Sequence, residues 1–138
     1  MNKNKIKIGV VGLGTVGSGV INLLEKNKEE ILKRSGISID ITCISAANKN
    51  KKRDCNISGL KFYSDPLEMI KLEDIDVIVE LIGGESLAKD IVLKALENKI
   101  HVVTANKALI ALHGNEISKA AENNKCDVAY EASVAGAV

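Results

Sequence analysis

The feature that most limits what this chain can become is a strand that runs directly into a glycine-spaced turn and leaves it as a helix. Lys5-Ile6-Lys7-Ile8-Gly9-Val10-Val11 alternates and then turns wholly apolar, the pattern of a strand entering a core. Gly12-Leu13-Gly14-Thr15-Val16-Gly17 follows. Val16, Val20, Leu23, Leu24 and Ile31 then fall near helical spacing, with Glu and Lys between them. Each glycine has a physical task in such a strand-turn-helix. Gly12 permits the tight turn, Gly14 lets a pyrophosphate approach the backbone, and Gly17 lets the helix pack closely on the strand. The free N–H groups and the dipole at the helix start favour phosphate, and Thr15 adds a hydroxyl. A glycine-rich turn in an ordinary α/β unit has the same composition. The flanking strand and helix favour nucleotide binding.

The rest of the chain repeats the strand–helix alternation. One helix is expected from about Val16 to Arg34, stopped by Ser35-Gly36, followed by a second strand over Ile37 to Ile44. Phe62-Tyr63 reads as a short strand. Asp65-Pro66-Leu67-Glu68 reads as a capped helix start with Met69, Ile70 and Leu72 inward. Asp76 to Ile82 is a buried parallel strand, broken by Gly83-Gly84, and an amphipathic helix then runs to Asn98. Ile100 to Thr104 is a strand ending in Ala105-Asn106-Lys107. A helix is expected over Asn115 to Asn124 and a last strand over Asp127 to Tyr130. About six strands with connecting helices predict a doubly wound parallel α/β sheet in the order 3-2-1-4-5-6, a single Rossmann-type domain over residues 1–138.

Composition excludes several classes of function. With 138 residues, 46% hydrophobic, the chain can bury a core. A net charge of +1 and 2% aromatic residues give no footprint for nucleic acid. No apolar run reaches membrane-spanning length, so no membrane partner is expected. Cys43, Cys55 and Cys126 are scattered and odd in number, which fits a reducing cytoplasm. His101 and His113 read as surface or capping residues, and Glu80 as structural despite its apolar run.

Ligands in such sheets sit at the carboxyl ends of the strands. That places Gly83-Gly84 and Thr104-Ala105-Asn106-Lys107 beside the same crevice as the first glycines. The end of the second strand sets cofactor preference. An acid there would hold a ribose hydroxyl, but Ala47 and Asn48 stand in that place. Lys49, Lys51, Lys52 and Arg53 follow and offer charge to a 2′-phosphate, a weak preference for NADP(H) over NAD(H). A solvated lysine loop is the plain alternative.

Four segments occur in register: Val11 to Gly17, Glu80-Leu81-Ile82-Gly83-Gly84, Val103-Thr104-Ala105-Asn106-Lys107-Ala108, and Tyr130-Glu131-Ala132-Ser133-Val134-Ala135-Gly136. Together they resemble the N-terminal nucleotide-binding part of homoserine dehydrogenase, over essentially the whole chain. The resemblance implies interconversion of aspartate 4-semialdehyde and homoserine with NAD(P)H, on the route to threonine and methionine. It implies that Gly12, Gly14, Thr15, Val16 and Gly17 bind pyrophosphate, and that Leu81, Gly83 and Gly84 line the dinucleotide. Thr104 and Asn106 would lie near the nicotinamide, and Lys107 would face the reacting carbonyl as the catalytic cation. Glu131, Val134, Gly136 and Val138 match a turn whose backbone holds a monovalent cation such as Na+. The family often carries an arginine near Ala47, where this chain has alanine. Its substrate and dimerisation domain is absent up to residue 138, so this polypeptide is expected to bind cofactor without turnover, while the full enzyme would be a homo-oligomer. Another amino-acid dehydrogenase, such as one acting on aspartate, and a non-catalytic nucleotide-sensing module are the competing readings.

Overall fold

The computed structural model describes residues 4–49, 51, 53 and 55–130. Eleven elements alternate along them: β1 (Lys5–Val11), α1 (Thr15–Lys26), α2 (Lys28–Ser35), β2 (Ser38–Ser45), β3 (Lys61–Tyr63), α3 (Pro66–Leu72), β4 (Val77–Glu80), α4 (Ser86–Glu97), β5 (His101–Thr104), α5 (Lys107–Asn124) and β6 (Val128–Tyr130). The strands form one sheet in the order β3-β2-β1-β4-β5-β6, as the sequence predicts. Every paired neighbour is parallel. The chain winds outward from β1 to β3, returns to the centre, and winds the other way from β4 to β6. The point of reversal lies between β1 and β4, where Leu81 N–H still donates to Val11 O (2.8 Å).

Strand alternation divides the apolar residues between two cores. Ile8, Val10, Ile41, Ile44 and Val79 pack with Leu13 and Ile21 on one face. Val11, Cys43, Ile78 and Val102 pack on the other with Met69 and Ile70 of α3 and with the inward residues of α4 and α5. Each fully buried aliphatic side chain contributes about 1.5–3 kcal/mol. Asp65 caps α3 as expected, accepting from Leu67 N–H (2.9 Å), with Pro66 in the first turn.

Four local expectations are corrected. The first helix is two helices, because Asn27 leaves helical geometry (φ −103°, ψ 12°) and its amide donates to Leu23 O (2.9 Å). Such a side chain competes with the helix for its own carbonyls. Leu23 (61% exposed) and Leu72 (60% exposed) face outward. Leu23 falls off the side of α1 that buries Ile21, and Leu72 is the last residue of a seven-residue helix. The last helix begins at Lys107, since Asn106 caps it by accepting from Leu109 N–H (3.0 Å). His113 therefore lies inside α5, at a kink (φ −128°), with its Nε2 against the Glu85 carboxylate. No helix among the described residues is long and apolar enough to cross a membrane.

Candidate functional site

The turn after β1 is shaped by contacts among its glycines. Gly12 has φ +102°, a conformation that side-chain-bearing residues avoid, and its N–H donates to Ser45 O (2.9 Å). A Cβ on Gly17 would lie 1.9 Å from Gly12 O, so only glycine lets α1 seat this deeply. Gly14 differs from both, because a Cβ there would meet nothing within 4 Å. It is the N-cap of α1, no side chain caps that end, and the first turn holds no acid. Ser18 N–H to Gly14 O (2.9 Å) opens the helical ladder, so the N–H groups of Thr15, Val16 and Gly17 precede it. An open backbone surface, uncapped donors and a helix dipole together fit a phosphate.

Across the reversal point, the ends of β4 and β5 are tied by side chains. Thr104 Oγ1 donates to Glu80 Oε1 (2.6 Å), and Asn106 N–H donates to Thr104 Oγ1 (3.0 Å). The Asn106 amide donates to Gly84 O (2.5 Å) and more distantly to Ile82 O (3.4 Å). Gly84 turns the chain there with φ +83°. Glu80 is 0% exposed, and burial pushes its carboxyl up from the ordinary carboxylate range. The Thr104 hydroxyl, the Ile82 N–H and the Asn106 amide pull the other way. Lys107 opens α5 as an exposed side chain and makes no ion pair among the described residues. A cation at the positive end of a helix opposes the dipole by about 0.3–1 kcal/mol, so stability does not favour a lysine in that place.

Two clefts open along this edge and share Ile82. The first, about 250 Å³, is lined by Val16, Leu81, Gly83, Ala105, Asn106 and Lys107 beside Ile82. The second, about 220 Å³, is lined by Gly12, Leu13 and Gly14 on one side and by Ala46, Ala47, Asn48, Lys51 and Arg53 on the other. Arg53 folds back on its own loop, donating to the carbonyls of Lys49 (3.3 Å), Lys51 (3.0 Å) and Asn48, with its guanidinium 5.8 Å from the Phe62 ring centroid.

Most of the residues singled out by sequence therefore share one edge. Thr15 and Lys49 are exposed and line neither cleft, Gly17 is buried behind the turn, and Thr104 lies beneath the first cleft. The proposed cation ligands Glu131, Val134, Gly136 and Val138, and also Lys52, lie outside the described residues. Among the described residues no group of three or more His, Cys, Asp or Glu is placed to hold a metal. Leu13, Ala46, Ile82 and Ala105 are the lining residues that sequence reasoning missed. Leu13, Ile82 and Ala105 sit inside the motifs singled out above and Ala46 just after the second strand, but an apolar residue gives no chemical signal.

Comparison with known proteins covers most of the chain. The family model described as homoserine dehydrogenase, NAD binding domain, matches residues 12–131. A homoserine dehydrogenase of Pseudomonas aeruginosa is 50% identical over 133 residues, 96% of this chain and 30% of that protein. The Bacillus subtilis homoserine dehydrogenase is 37% identical over the same share of the chain. A crystal structure of Staphylococcus aureus homoserine dehydrogenase superposes with a TM-score of 0.86 at 40% identity, covering 94% of this chain and 33% of that one. That of Thiobacillus denitrificans gives 0.83 at 39%, covering 93% and 30%. The chain spans about 30% of the length of the curated relatives it matches.

Proposed function

The chain belongs to the homoserine dehydrogenase family as its NAD-binding domain, and from that premise we propose that its two clefts hold the halves of one nicotinamide dinucleotide. The observation that carries this is the meeting of both clefts at Ile82, beside the uncapped start of α1. Gly12, Gly14, Thr15, Val16 and Gly17 take the pyrophosphate through backbone N–H groups. Ala47, Asn48 and Lys49 flank the adenosine ribose. Lys51 and Arg53 add positive charge, which supports NADP(H) over NAD(H). Leu81, Gly83, Gly84, Thr104 and Asn106 frame the nicotinamide.

In the complete protein the reaction is the interconversion of aspartate 4-semialdehyde and homoserine. The nicotinamide supplies or accepts the hydride. Lys107 is the catalytic residue that this domain contributes. Its ammonium faces the aldehyde oxygen, polarises the carbonyl and holds a proton at Nζ for the developing alkoxide. Residues 1–138 act as one cofactor-binding domain of a homo-oligomeric cytoplasmic enzyme, without turnover on their own. Glu131, Val134, Gly136 and Val138 hold a monovalent cation, Na+, through their backbone.

Calorimetric titration of the 138-residue chain with NADPH and NADH, at low and moderate salt, tests this reading. NADPH is expected to bind more tightly, with an affinity that falls as salt screens the loop cations. Binding of neither nucleotide rejects the assignment, and preference for NADH rejects the role of Lys51 and Arg53.

A further inference from the structure

Glu80 is the buried residue that the cofactor reading leaves without a task. It ends β4 on the face that also carries Ile78, towards the core built with α3, α4 and α5. Packing alone does not choose an acid there, because a buried carboxyl costs more than an apolar side chain of similar size. Its contacts lead in one direction. Glu80 Oε1 accepts from Thr104, whose Oγ1 accepts from Asn106 N–H. Asn106 in turn holds Gly84 O with its amide and caps α5 with its Oδ1. The links join residues 24 apart in sequence and end at the turn and the helix start that line the first cleft.

We propose that Glu80 is a positioning residue for that cleft, fixing the Ile82–Gly84 turn and the base of Lys107 through Thr104 and Asn106. The proposal deepens the cofactor reading above and rests on it. Burial favours the uncharged form of the Glu80 carboxyl. Its Oε2 is buried and makes no hydrogen bond of ordinary geometry, and burial outweighs the donors that favour its charge. Several charged groups on neighbouring elements are engaged elsewhere. Lys5 and Lys7 of β1 pair with Asp40 and Asp74 at the other end of the sheet, where His101 of β5 accepts from Asp127 N–H. Lys89 of α4 pairs with Glu116, and His113 of α5 with Glu85. Lys107 stands exposed in the cleft.

The test uses the 138-residue chain. NADPH affinity is read by nucleotide fluorescence from about pH 6 to about pH 8, and hydrogen exchange of the Asn106 and Leu109 N–H groups is read without nucleotide. Glu80→Ala is expected to weaken NADPH binding and to speed both exchanges by roughly tenfold. Glu80→Gln restores both at every pH, since an amide keeps an acceptor for Thr104 and carries no charge. If Glu80→Gln is as damaging as Glu80→Ala, positioning through an uncharged acceptor for Thr104 is overturned. Exchange unchanged in Glu80→Ala would make Glu80 mere filling and would overturn the proposal. Should the unsubstituted chain bind no NADPH, the cofactor reading fails, and the exchange rates still decide the role of Glu80. If Glu80→Ala does not fold, Thr104→Val cuts the same link and Thr104→Ser restores it, with the same ratios decisive.

Discussion

At the amino ends of the strands charges neutralise one another, whereas at the carboxyl ends the donors that open α1 are left uncapped. Asp40 takes both Lys5 (3.0 Å) and Lys28 (2.8 Å), and the Lys7 ammonium meets Asp74 while its N–H donates to Asp76. The opposite edge has an uncapped α1, an exposed Lys107 at a helix start and a carboxyl sealed beneath the cleft. The amino end is arranged for the folded chain alone. The carboxyl end forgoes local stability, which is expected where a surface must receive something else.

The comparison is most easily broken at the tightest glycine. Gly17→Ala drives a methyl into Gly12 O and is expected to cost about 3 kcal/mol or more, lowering the thermal midpoint by roughly 10 °C. A midpoint within a few degrees would mean that the helix seat is adjustable. Thr104→Val removes the donor to Glu80 and the acceptor for Asn106 N–H. Denaturant unfolding should register about 1–3 kcal/mol of lost stability.

Two carboxyls at opposite ends of the sheet then make opposite predictions for pH. Asp40, 18% exposed, is held below the ordinary carboxylate range by hydrogen bonds from Lys28 and then Lys5. Its contribution is present above the unfolded pKa of about 3.9 and is lost as pH falls through the depressed folded value. Glu80 has a raised folded pKa, so the native state holds its proton longer than the unfolded chain. Stability from Glu80 is present below the unfolded value of about 4.3 and declines as pH rises towards the folded one. Unfolding curves of Asp40→Asn and Glu80→Gln separate the two. Asp40→Asn is expected to lose about 1 kcal/mol near neutral pH and little in acid, while Glu80→Gln removes the decline that sets in above about pH 4.3. The smallest effect on stability belongs to Gly14→Ala, under about 1 kcal/mol because a Cβ meets open space, with only the poorer cap to pay for. Its NADPH affinity should nevertheless fall more than tenfold. Retained affinity would remove Gly14 from the phosphate seat.

What the sequence shows clearly is what periodicity and turn chemistry encode locally. The alternation of strands and helices, the Asp65 cap, the turn at Gly12 and the close seat at Gly17 all lie within a few residues of their cause. The break at Asn27 and the early start of α5 at Asn106 were hidden because one amide side chain decides each, against an otherwise helical pattern. The Glu80–Thr104 bond was hidden for another reason. It depends on β4 and β5 lying in register, and no local pattern in either strand announces it.

The proposed phosphate seat also bears on kinetics. Its shape is fixed by Gly12 and Gly17 pressing on each other and by the bond from Gly12 to Ser45, all contacts made within the protein. A surface already in its receiving form asks little ordering of itself on encounter. Related dinucleotides should then arrive at similar rates, and differ chiefly in how long each one stays.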